Sequence, residues 1–214
     1  MGTHPDVKRR RKKQGLIRAR QHLFRSGETS NRIVVVRSGW ALRSAMTADG
    51  RRQVLSILLP GDIAGGELLV RGQIRNPIQT ITPVDYCVFE VDQLKEIAAE
   101  DPKLVWTFVD LCFSGREASE ARLVDLGRRN AEQRLARLIL ELHERLTAKN
   151  LAEEDSIPFP LRQQSIADML GLTQVHVSRV MRSLRENRIV QVRNGVLTIL
   201  DMNALVEVAQ QYSH

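Results

Sequence analysis

Between Gln163 and Val180 the chain reads Gln-Gln-Ser-Ile-Ala-Asp-Met-Leu-Gly-Leu-Thr-Gln-Val-His-Val-Ser-Arg-Val, and few local architectures accept that order. Two helices crossing at a tight turn need a small residue at the crossing and a positive φ about one helical turn later. Ala167 and Gly171 stand at that spacing. Thr173 suits the N-cap of the second helix, and Val177 and Val180 fall on the face that must pack back on the first. The outward face then carries Gln174, His176, Arg179 and Arg182, with Val175 and Ser178 beside them. Arginine can bind guanine O6 and N7 through two hydrogen bonds, and glutamine can read adenine or a phosphate. A hairpin follows: Val190-Gln191-Val192 and Val196-Leu197-Thr198-Ile199 flank Arg193-Asn194-Gly195, and Asn-Gly is the strongest short hairpin signal. Together these segments predict a winged helix-turn-helix over residues 159–200. A helical hairpin with a merely charged outer face is the plainer alternative.

Charge is informative only by place. The net charge of +7 is carried by residues 1–20, where Lys8, Arg9, Arg10, Arg11, Lys12, Lys13, Arg18 and Arg20 face Asp6 alone, so the rest of the chain is neutral. Residues 1–15 read as a basic arm, either a solvated tail or a sequence-independent contact to phosphate. Within the neutral remainder, residues 162–194 stand out: Arg162, Arg179, Arg182, Arg185, Arg188 and Arg193 face only Asp168 and Glu186 there.

Upstream, short strands alternate with turns. Ile33–Val36, Val54–Leu59, Ile78–Thr82 and Cys87–Val91 are apolar or alternating runs, cut by Ser38-Gly39, Pro60-Gly61-Asp62 and Pro83, and Asp49-Gly50 is a hairpin turn. This pattern predicts a small barrel or jelly roll over residues 16–101. Asp92 is placed to cap a short helix through Ala99, and Pro102 to open a longer one. Leu104, Phe108, Leu111, Gly115 and Ala118 then recur at 4-3-4-3 spacing, which is a helix seam. Gly115 costs about 1 kcal/mol of helix propensity relative to alanine. A partner helix across a two-fold axis offsets that cost in one reading, and packing on the chain's own barrel does so in the other. A break is expected at Gly127–Asn130, with Asn130 and Gln133 as a capping pair. Leu135, Leu138, Ile139, Leu142 and Leu146 line the next helix, and residues 148–160 form a boundary.

The chain lacks a run of 18 apolar residues and a signal-peptide core, so a membrane span is not expected and a cytoplasmic location is. Cys87 and Cys112 lie far apart, and the histidines His4, His22, His143, His176 and His214 show no ligand spacing. No metal site, disulfide framework or nucleophile–base constellation is expected, and none of the residues reads as catalytic.

On Gly39-Trp40, Asp49-Gly50-Arg51-Arg52-Gln53, Leu59-Pro60-Gly61-Asp62-Ile63, Gly66-Glu67-Leu68 and Gly171-Leu172-Thr173 with Val175–Arg179, the chain resembles the CRP/FNR family of bacterial regulators. The resemblance implies an α+β fold: an N-terminal double-stranded β-helix (jelly-roll) sensor, a long central dimerisation helix over 102–129 and a winged helix-turn-helix domain over 130–214. It also implies a homodimer on a pseudo-palindromic duplex, with RNA polymerase as downstream partner. Ser178 and Arg179 match the Ser-Arg pair of FNR-like members, whereas Val175 stands where a glutamate is usual. The DNA-binding set is therefore Thr173, Gln174, Val175, His176, Ser178, Arg179, Arg182, Arg193 and Asn194. His176 either contacts DNA or is simply exposed.

In the sensor, the family's ribose-binding Gly-Glu-Leu is matched by Gly66-Glu67-Leu68, and its phosphate segment by Arg75-Asn76-Pro77. Asn76 replaces a hydroxyl and Pro77 removes a backbone donor. Ser119 aligns with a helix hydroxyl that meets the purine, followed here by Glu120. These departures disfavour a cyclic nucleotide as effector without removing it. Residues 1–86 contain no cysteine, so no iron–sulfur cluster is expected, and haem would need His22, Cys87 or Cys112. An unidentified ligand, thiol oxidation at Cys87 or Cys112, or no effector stay open. The competing function is a ligand sensor acting through protein partners rather than DNA.

Overall fold

The computed structural model describes residues 13–210, so the basic segment 1–12, His4 and His214 lie outside the described residues. The chain forms two compact units that divide between Ser119 and Glu120.

The first unit contains β1 (Lys13–Ile17), β2 (His22–Phe24), β3 (Arg32–Ser38), β4 (Ala41–Met46), β5 (Arg52–Leu58), β6 (Ile63–Ala64), the single-turn α1 (Leu68–Arg71), β7 (Ile78–Thr80), β8 (Val84–Glu90), α2 (Val91–Glu100) and the start of α3 (Pro102–Arg128). Its strands make two antiparallel sheets, ordered β1-β8-β3-β6 and β2-β7-β4-β5. Alternation along the strands turns one face of each sheet inward. Phe24, Val34, Val36, Ala41, Leu58, Ile78 and Val84 from both sheets meet in one buried cluster. Burying each larger aliphatic or aromatic side chain contributes about 1.5–3 kcal/mol, and this cluster holds the jelly roll together. Asp49-Gly50 makes the β4–β5 turn, with Gly50 at φ +81°. The Thr47 hydroxyl, followed by the Arg51 guanidinium 2.7 Å away, holds the exposed Asp49 carboxyl below the usual carboxylate range.

Three expectations change here. Residues 13–15, taken as the end of the basic arm, open β1, which pairs with β8 from Lys13↔Val88 to Ile17↔Val84. Asp92 does not cap α2. The helix starts two residues earlier, with Glu90 at its N-cap, and Asp92 instead accepts a 2.9 Å hydrogen bond from Asn31. Third, the α3 seam divides. Leu104 packs against Cys87 and Phe89, and the Phe108 ring lies 3.5 Å from where a Cβ on Gly66 would stand. Leu111, Gly115 and Ala118 are exposed, with nothing among the described residues within 4 Å of a Cβ built on Gly115. The roll takes the first part of the seam and leaves the second open.

The second unit holds the end of α3, α4 (Ala131–Thr147), β9 (Ser156–Pro158), α5 (Gln163–Leu170), α6 (Gln174–Glu186), β10 (Val190–Arg193), β11 (Val196–Ile199) and α7 (Met202–Gln210). α3 stops at Arg128, and Asn130 and Gln133 form the reciprocal capping box at the start of α4, with bonds of 3.0 and 2.8 Å. Leu135, Leu138, Ile139, Leu142 and Leu146 are all buried, and α7 packs on the same helix. The segment 148–160 is not merely a boundary: Ser156–Pro158 adds β9 to the hairpin, giving the sheet order β10-β11-β9. Asn194 and Gly195 turn that hairpin at φ +51° and +76°, the two positive values its tight turn requires.

Candidate nucleic-acid interface

The helix-turn-helix is built by local rules. Gly171 ends α5 in the left-handed region at φ +63°, and the Leu172 amide returns to the Ala167 carbonyl at 3.1 Å. Thr173 turns extended, and its hydroxyl accepts from the His176 amide at 3.2 Å, capping α6. Val177, Val180 and Leu184 are buried, so the opposite side of α6 must face outward.

On that side Gln174, Val175, Ser178, Arg179 and Arg182 line one groove with Gln163 of α5. Val175 is 67% exposed, and no carboxylate among the described residues lines the groove. Of the residues expected to touch DNA, these five are brought together. Thr173 is committed to the cap, and His176 Nδ1 lies 3.2 Å from the Thr173 hydroxyl, outside the groove lining. Arg193 and Asn194 are exposed at the tip of the β10–β11 wing.

Sequence reasoning missed Gln163 and Gln164. Gln164 donates through Nε2 to Asp168 and accepts at Oε1 from the Gln174 amide nitrogen. The Gln164–Asp168 spacing of four is a known helix pairing, but the reach to Gln174 depends on how the two helices cross.

A third missed residue, Arg134, supports the motif from behind. The Arg134 guanidinium donates to three carbonyls: Leu126 at 2.8 Å, Arg129 at 2.7 Å and Leu170 at 2.9 Å. The last carbonyls of a helix lack intrahelical donors, so one side chain on α4 finishes the ends of both α3 and α5. Buried Asp125 pairs with Arg129 and, at 2.9 Å, with Arg137, while Arg122 pairs with Glu141. The last turns of α3 are thereby tied to α4.

The residues expected to bind an effector are dispersed in role. Glu67 accepts from the Arg75 backbone amide at 3.3 Å, while Arg75 itself is exposed. Leu68 is buried in the roll's core, beside Ile74. Gly66 faces Phe108, and Asn76 is half-buried. The Ser119 hydroxyl donates to the Gly115 carbonyl of its own helix at 2.8 Å. Arg43, which the sequence reading passed over, sits opposite Ser56 and Ile78 in the strand register, and its Nε is buried without a partner among the described residues.

Comparison with known proteins gives consistent matches. Residues 133–208 match the model of the Crp-like helix-turn-helix domain, and residues 16–101 match that of the cyclic nucleotide-binding domain. The anaerobic regulatory protein of Haemophilus influenzae is 29% identical over 191 residues, which span 89% of this chain and 74% of that protein. The nitrogen fixation regulation protein FixK of Bradyrhizobium diazoefficiens is 36% identical over 155 residues, 72% of this chain and 63% of that one. Among solved structures, FixK2 from Bradyrhizobium japonicum superposes with a TM-score of 0.85 at 22% identity, covering 94% of this chain and 98% of the other.

Proposed function

We propose that this chain, which belongs to the CRP/FNR family of DNA-binding transcription regulators, reads each half of a pseudo-palindromic site with the α6 groove and does so without a cyclic nucleotide. It acts as a homodimer, so two copies of α6 enter successive major grooves. The observation that carries the reading is the groove itself: Arg179 and Arg182 are exposed beside Gln174, Val175 and Ser178, with no carboxylate among the described residues in the lining to compete for them. Arg179 is the guanine reader and Ser178 a phosphate contact. Val175 offers an apolar surface to a thymine methyl. The wing residues Arg193 and Asn194 and the cap Thr173 lie against phosphates. RNA polymerase is the partner on which the bound dimer acts.

Titration of a selected palindromic duplex tests this. Arg179→Ala weakens binding to the selected site by about 1–3 kcal/mol and flattens preference at one base pair per half-site, with the dimer intact by sedimentation. Binding falls steeply as salt rises. An unchanged base preference in Arg179→Ala removes the base-reading role, and binding insensitive to both sequence and salt favours action through a protein partner.

Independence from cyclic nucleotide rests on two features: an Arg75 that is exposed on the roll, and a Ser119 hydroxyl on α3 already bonded to its own helix. Adding cyclic AMP or cyclic GMP leaves the duplex affinity unchanged. A rise of about 10-fold, roughly 1.4 kcal/mol of coupling, overturns that part of the reading.

A further inference from the structure

We propose that a side-chain relay, Asp168–Gln164–Gln174, fixes the amide of Gln174 so that it reads an adenine in each half-site; this rests on the DNA-binding reading above. A glutamine amide is ambiguous by itself, because rotating it by half a turn exchanges its acceptor for its donors and lets it face a phosphate, a purine or a pyrimidine. Here the ambiguity is removed in two steps. Asp168 as a carboxylate only accepts, so Gln164 must turn its NH2 toward it, as it does. That leaves the Gln164 carbonyl oxygen toward α6, and Gln174 must in turn give it an N–H. The Gln174 carbonyl oxygen and its second N–H remain for the DNA, and Gln174 is exposed in the first turn of α6, directly after the Thr173 cap.

One acceptor and one donor side by side are the complement of adenine, whose major-groove edge offers the N6 amine and N7. Guanine offers two acceptors, N7 and O6, one of which meets the Gln174 carbonyl oxygen. Thymine offers the O4 acceptor, and cytosine only an amine. A phosphate would use the free N–H but set the carbonyl oxygen against an anion. The relay therefore makes Gln174 a specificity residue and Gln164 and Asp168 positioning residues that never touch the base.

The test uses the full-length dimer and duplexes selected from a randomised palindrome. The wild-type consensus holds one adenine per half-site whose preference is lost in Gln174→Ala. Replacing that adenine by purine, which lacks the N6 amine, weakens wild-type binding about 10-fold and Gln174→Ala binding hardly at all. Asp168→Asn, whose amide can present either end to Gln164, cuts that discrimination from about 10-fold to about 3-fold. Combining Asp168→Asn with Gln164→Glu moves the carboxylate by one place without changing net charge. It restores the discrimination, because the relocated carboxylate can only accept from Gln174. A purely structural role for Asp168 gives no such rescue, and thermal melting of each variant confirms folding. A guanine or thymine at the position lost in Gln174→Ala overturns the proposal, as does undiminished discrimination in Asp168→Asn. Both leave the DNA-binding reading standing, whereas a wild-type dimer with no consensus at all sinks the two together.

Discussion

Replacing Gly39 by alanine is expected to destabilise the β-roll by about 4 kcal/mol or more, a loss in the exceptional range for one methyl group. Gly39 has φ +83°, where a side chain is strained, and a Cβ there would stand 2.0 Å from the Pro83 carbonyl oxygen. That oxygen belongs to backbone and cannot swing aside. The same strand crossing carries the Trp40 amide to the Thr82 hydroxyl at 2.8 Å and the Ile81 amide to the Trp40 carbonyl at 2.9 Å. Any shift that relieves the clash pulls on both bonds and on the buried Trp40 ring. Gly50→Ala is the control. Its φ is +81°, but nothing among the described residues lies within 4 Å of the added carbon, so only the conformational cost of about 1 kcal/mol remains. Urea unfolding followed by Trp40 emission separates the two, and a Gly39→Ala loss no larger than that of Gly50→Ala would contradict the close approach.

Arg134→Met is expected to cost the second unit about 3 kcal/mol. Methionine keeps much of the apolar stem but none of the donors, and the carbonyls of Leu126, Arg129 and Leu170 lose a charged partner together. Hydrogen bonds to charged groups contribute about 1.5–3 kcal/mol each, and three on one side chain overlap rather than add in full. Arg134→Lys, with one ammonium in place of a planar fork, should fall between wild type and methionine. Chemical denaturation of the three proteins checks the order. A methionine variant within about 0.5 kcal/mol of wild type would show that water replaces the guanidinium without loss.

These residues also mark where the sequence was legible. Gly171, Thr173 and the Asn194-Gly195 turn follow rules that act within a few residues, so the helix-turn-helix and its wing were readable with near-correct limits. The Asn130–Gln133 box was equally local. β1 was not readable, because Lys13–Ile17 is polar and short and is a strand only through β8, far along the chain. β2, β4 and β6 share that dependence on distant partners. Arg134 and Gln164 were missed for a related reason. The pairing of Gln164 with Asp168 four residues on is a local signal, but the reach of Gln164 to Gln174 and the three carbonyls met by Arg134 arise only when helix ends and crossings converge on them. The seam on α3 was visible as a pattern, but sequence could not divide it between the roll and open solvent.

That division has a consequence for how such a regulator is switched on. Past Phe108, α3 leaves Leu111, Phe113, Leu123 and Val124 exposed, the last three between 51% and 68%. A protomer carrying that surface is in mass-action balance with its dimer. Where protomers are scarce, the fraction of operators filled grows with the square of the amount of protein made. Synthesis rate alone can then act as a threshold: doubling expression quadruples occupancy, and a gene under this control answers steeply to dose even with no small molecule in the roll.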